Sequence, residues 1–112
     1  MATPRLPAHL EVSGLIRQVQ TAGGFATVLQ KGERDAGIVL LLTTNGGQNI
    51  RLWERMPQLD GSRTFTETKA QSIENTQEFD EYIRRRMSQD PDAWVLELDI
   101  ADAERFIDSA AD

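Results

Sequence analysis

The chain contains no cysteine and a single histidine. The first absence removes disulfides, thiolate metal sites, iron–sulfur clusters and cysteine nucleophiles. The second leaves any metal site to carboxylates alone. His9 stands near the start of a helical segment, and no motif around it supplies the acid and nucleophile that a general base would serve, so it reads as a surface histidine. Long apolar runs are missing too. The longest aliphatic stretch, Ile38 to Leu42, falls far short of the ~20 residues that span a bilayer. Met1–Pro7 lacks the apolar segment of a signal peptide. Together these absences lead us to expect a cytoplasmic protein without a membrane segment, without a cofactor, and with a lean away from enzymatic chemistry.

Positive charge is also in short supply. The 112 residues carry a net charge of −6, distributed as +2 over residues 1–56 and −8 over residues 57–112. Phosphate contacts need clustered Lys and Arg, so this acidic balance disfavours nucleic acid as a partner. The one basic run, Arg84-Arg85-Arg86, fans over about 200° of a helix, and the spacings Asp80/Arg84 and Glu81/Arg85 predict that two of the three are paired one turn back. At 39% hydrophobic and 27% charged the composition is globular, and the length suits one domain spanning residues 1–112.

The stretch Gly37–Trp53 organises what is present. A wholly apolar run, Ile38 to Thr43, reaches Asn45-Gly46-Gly47 and returns as the alternating segment Ile50–Met56. Asn-Gly tolerates the positive φ angles of a tight hairpin, and a turn there would face Leu41 with Ile50 and Val39 with Leu52. A strand apolar at every position needs cover on both faces or a central place in the sheet. Before it, Val12, Leu15, Ile16 and Val19 form a helical stripe from about Pro7 to Ala22, stopped by Gly23-Gly24, and Phe25–Lys31 is rich in strand formers. After it, Arg63–Lys69 reads as a solvated or edge strand. Asn75 and Glu78 form a capping-box pair opening a helix with the stripe Phe79, Tyr82, Ile83 and Met87. Trp94–Ile100 alternates strictly, and Asp99 or Asp102 would cap a last helix carrying Phe106, Ile107 and Ala110. The order α-β-β-β-β-α-β-α predicts an α+β fold: an antiparallel four-stranded meander plus a fifth strand at one edge, with the helices mainly on one face.

Two groups of residues invite a functional reading. Arg51, Trp53 and Arg55 share one strand face, and a tryptophan between arginines has the composition of an interaction hot spot or, more weakly, of a base-stacking platform. The plainer reading is that Trp53 packs under Phe65 and that the arginines pair with acids such as Glu67. Glu97 and Asp99 share another strand face and make the alternative candidate, a carboxylate site for a hard cation such as Mg²⁺. No EF-hand or nuclease pattern surrounds them, so a solvated acidic face is favoured. Neither Gly-Gly pair lies between a strand and a following helix, where backbone amides would converge on phosphate.

The segments Arg5-Leu-Pro-Ala-His9, Ala22-Gly-Gly-Phe25, Asp35-Ala-Gly37, Glu54-Arg-Met-Pro-Gln-Leu-Asp-Gly61, Trp94-Val-Leu-Glu-Leu-Asp-Ile100 and Glu104-Arg-Phe106 occur in this order along nearly the whole chain. In them the chain resembles a family of short bacterial proteins known as domain of unknown function 1491. The resemblance implies a single-domain bacterial cytoplasmic protein and carries no activity, cofactor or catalytic residue. The expectation is a small non-enzymatic interaction or regulatory module that docks on a protein partner or on a second copy of itself. The alternative is a small-molecule-binding protein or enzyme with a carboxylate-lined, Mg-dependent site.

Overall fold

In the computed structural model the described backbone covers residues 6–110, with side chains described for residues 6–107. Arg5 and the side chain of Ala110 therefore lie outside the described residues. The elements are α1 (Ala8–Thr21), β1 (Phe25–Gln30), β2 (Val39–Asn45), β3 (Gln48–Pro57), β4 (Arg63–Ala70), α2 (Thr76–Gln89), β5 (Trp94–Asp99) and α3 (Glu104–Ala110). The α+β class and the order α-β-β-β-β-α-β-α are those read from the sequence.

The sheet order is β1-β5-β2-β3-β4. The meander is therefore three strands long, β2-β3-β4, and not four. β5 lies between β1 and β2, antiparallel to the first and parallel to the second, instead of at an edge. The physical reason is burial. Trp94, Leu96 and Leu98 fill one side of β5 and Val95 the other, so the strand is apolar enough on both faces to need two neighbours. β1, largely exposed, takes the edge.

β2 is buried from Val39 through Thr44, as its unbroken apolar run requires. One side of the sheet gathers Val39, Leu41, Phe65, Trp94, Leu96 and Leu98 against α1 and Ile107 of α3. The other gathers Leu40, Leu42, Leu52 and Val95 under Phe79 of α2, with Tyr82, Ile83 and Met87 packed alongside. Two of the three helices thus share a face, and α2 covers the opposite one.

The hairpin reverses at Gly46-Gly47 (φ +66° and +84°), one residue later than Asn45-Gly46, with Asn45 opposite Gln48. Asn49 (φ +57°) then occupies a bulge, and beyond it Leu41 faces Trp53 and Leu42 faces Leu52. This corrects the expected pairs Leu41/Ile50 and Val39/Leu52. Side chains alternate with period two, so the change of register sends Leu52 to the α2 side and Trp53 to the α1 side.

The helix ends show local chemistry yielding to tertiary contacts. Pro7 is the N-cap of α1, and the N–H groups of Ala8 and His9 donate to the carbonyls of Asp35 and Arg34 in the β1–β2 loop. At the other end, Gly23 (φ +92°) closes a two-bond cap in which Gly24 N–H reaches Val19 O and Gly23 N–H reaches Gln20 O. Asn75 is the N-cap of α2, but its side chain turns back to accept from Ser72 N–H and donate to Ala70 O, so the expected capping box does not form.

Candidate functional site

The residues singled out in the sequence fall at three places. Trp53 is half-buried in the core under α1 and α3, and its indole N–H donates to Thr43 Oγ1 at 3.0 Å. Arg55 stacks over Phe65 and makes a paired hydrogen bond to both carboxylate oxygens of Glu11, the two side chains being only 9% and 13% exposed. Arg51, more open, lies 2.9 Å from Glu104 and 3.4 Å from Glu67. The structure therefore brings the triplet together as a strut between sheet and helices, with α1 and α3 covering the face on which it stands. Glu97 and Asp99 are half-exposed on the opposite side, and Asp99 accepts a 2.8 Å hydrogen bond from Gly46 N–H. Among the described residues no group of three or more His, Cys, Asp or Glu could hold a metal ion.

Several engaged polar side chains went unnoticed in the sequence. Arg86 bonds Glu54 at 2.6 Å and Asp90 at 3.1 Å, with Tyr82 at 3.4 Å, and locks α2 to β3. Burial works against its charge, and the bonds to Glu54, Tyr82 and Asp90 outweigh that, so its pKa lies above the ordinary arginine value. The expected ion pairs of Arg84 and Arg85 with Asp80 and Glu81 are absent from the described residues; Arg86, the third of the run, forms the i,i+4 pair instead.

Two open clefts flank the parallel pair β2/β5. The first, about 200 Å³, lies beyond the carboxyl ends of the strands, between Thr44 and Asn45 on one side and Ile100 and Asp102 on the other, with Arg51 and Glu104 at its rim. Asn49 and Asp102, the only non-glycine residues of positive φ among the described residues, both line it.

The second, about 390 Å³, lies at the amino ends, between the β1–β2 loop and the α2–β5 loop. Its walls are tied together with unusual thoroughness for two loops. Gln30 Nε2 donates to the carbonyls of both Asp90 and Ala93, each at 2.9 Å. Glu33 N–H reaches Asp92 O at 2.8 Å, and Trp94 Nε1–H reaches Glu33 O at 2.7 Å. Gly32 and Gly37 press against the same segment. A Cβ on Gly32 would stand 2.6 Å from Ala93 C and Trp94 N, and one on Gly37 would stand 2.5 Å from Asp92 O. The Glu33 carboxylate accepts from the N–H groups of Asp35 and Ala36 and holds the loop from inside. The composition of this loop, residues 31–37, is that of an ordinary charged turn. The signal that could have marked it is its pair of glycines, which serve close approach here and not a turn of positive φ.

The model of DUF1491, described as a protein of unknown function, matches residues 6–108. The chain belongs to the DUF1491 family. A crystal structure of a DUF1491 family protein from Caulobacter crescentus is 32% identical over 90% of this chain and 94% of that one, with a TM-score of 0.77. An NMR structure of a DUF1491 family protein from the same organism is 31% identical over 94% of each chain, with a TM-score of 0.75. A solution structure of a protein from A. tumefaciens, 24% identical over 93% of each chain with a TM-score of 0.70, shares the fold. No curated protein matches the chain. No helix among the described residues is long and apolar enough to cross a membrane.

Proposed function

We propose that this chain is a small binding module whose ligand site is the cleft at the amino ends of β2 and β5. The observation that carries the reading is the tying of the two loops by Gln30, Glu33, Trp94 and the two close glycine contacts. Surface loops are ordinarily mobile, and binding between mobile walls must first order them. These walls are ordered before any ligand arrives. At about 390 Å³ the cleft falls within the size range of small-molecule sites, and Ala36, Ile38, Pro91 and Ala93 supply apolar lining. The cysteine-free composition and the bacterial relatives support a cytoplasmic setting. The test is a fragment screen followed by amide chemical shifts. Saturable shifts confined to residues 32–38 and 89–94 are expected. Hits that cluster elsewhere, at the Arg51 cleft for instance, would overturn the assignment.

A second reading, self-association through β1, is favoured by a contrast between the sheet edges. β4 carries Arg63, Glu67 and Lys69, charges of the kind that guard an edge, whereas Phe25–Gln30 has none and exposes Phe25 at 73%. The bulge at Leu29 limits the flat part of that edge to Phe25–Val28. Sedimentation of the wild type and Phe25→Glu at several concentrations separates the cases: a dimer lost in the variant supports pairing, and a wild-type monomer at high concentration ends it.

A further inference from the structure

The charge around the same cleft narrows its ligand. Glu33, Asp90 and Asp92 line it, and no Lys or Arg does; Lys31 and Arg34 belong to the same loop but not to the lining. The three acids are not equivalent. Asp90 is committed to Arg86, and one Glu33 oxygen to the loop amides, which leaves the other Glu33 oxygen without a hydrogen bond to any described residue. Asp92 is exposed, and its carboxylate makes no hydrogen bond or ion pair with any described residue. Ala36, Ile38, Pro91 and Ala93 line the same cleft alongside these charges, and Ile38 is half-exposed though it adjoins a fully buried strand. A lining that mixes apolar side chains with carboxylates and holds no Lys or Arg suits an occupant with a short apolar body and a single cationic head.

Resting on the reading of this cleft as the ligand site, we infer that it takes a free organic cation of the alkylammonium or alkylguanidinium type. The tail lies along Ala36, Ile38, Pro91 and Ala93, and the head points to Asp92 and the free oxygen of Glu33. The net charge of −6 adds a general attraction for cations, and the close walls make it local.

The experiment uses the whole chain labelled with ¹⁵N and three probes of one body and different heads: n-butylammonium, n-butanol and butyrate. Butylammonium should shift the amides of residues 32–38 and 89–94 saturably. Butanol should bind the same amides more weakly, and butyrate should leave them in place. Asp92→Asn removes only an unpartnered surface carboxylate, so its melting temperature should match the wild type. Its affinity for butylammonium should fall about three- to fivefold, the scale of an exposed charge contact. Raising the salt to 0.5 M should narrow that difference. Equal binding of butanol and butylammonium, or an unchanged affinity in Asp92→Asn, overturns the cationic assignment. Saturable shifts from a Lys- or Arg-rich peptide but from no free cation replace the small molecule with a protein partner. If butyrate, or any uncharged fragment as tightly as butylammonium, saturates these amides, the cleft stands and only the ligand class falls. If no fragment moves them, the cleft reading falls as well.

Discussion

Gly37→Ala tests the cleft walls most directly. The new methyl would meet Asp92 O at 2.5 Å and Glu33 O at 2.7 Å, both backbone atoms that cannot rotate away. Relief requires the β1–β2 loop to withdraw from the α2–β5 loop, stretching Glu33 N–H···O Asp92 and Trp94 Nε1–H···O Glu33, at present 2.8 and 2.7 Å. Overpacking of this kind costs about 1–3 kcal/mol. With a urea m-value of about 2 kcal/mol/M, the midpoint should fall by roughly 1 M. Gly14→Ala is the internal control. Gly14 lies in α1 with nothing within 4 Å of its would-be Cβ, so the exchange should stabilise by up to about 1 kcal/mol through helix propensity. Urea unfolding followed by circular dichroism measures both. Amide shifts in Gly37→Ala should concentrate in residues 32–38 and 90–94. A Gly37→Ala midpoint at or above the wild type would show that the loops are not held against each other, and the preorganised cleft would go with it.

Other expectations follow from the same contacts. Phe79 is the one fully buried side chain of α2, so Phe79→Ala should cost about 3–5 kcal/mol and raise hydrogen exchange in α2 before the rest of the chain. Glu11→Gln takes away the carboxylate charge paired with the buried Arg55 guanidinium and should cost about 1.5–3 kcal/mol in urea unfolding, the scale of a hydrogen bond to a charged group; the equivalent change at exposed Glu104 should be nearly silent. The Ser62 hydroxyl and N–H hold the Asp60 carboxylate below its ordinary pKa. Its stabilising contribution is therefore present above that ordinary value and lost as the pH falls through the lowered one, so Asp60→Asn should flatten the acid limb of a stability–pH curve.

Much of the architecture was legible locally. The apolar run Ile38–Thr43 announced a strand covered on both sides, the alternation of Trp94–Ile100 announced another, and the stripes of α1 and α2 named their buried residues, because period and burial are properties of neighbouring residues. Of the plainer reading of Arg51, Trp53 and Arg55 only single contacts were legible: Arg51 does meet Glu67, but Phe65 lies against Arg55 and the Trp53 indole bonds Thr43. Three things were decided only in three dimensions. The place of β5 depended on which strand had two apolar faces to hide, a comparison among all five. The hairpin register depended on one extra residue at Asn49, and that residue decided that Trp53 faces α1 and Leu52 faces α2. The cleft depended on Gly32 and Gly37 meeting Asp92 across some sixty residues of chain, a contact with no local period to reveal it. Short-range pattern determines which elements form and which face they bury; the packing of one element against another decides what stands beside what, and so where a ligand can sit.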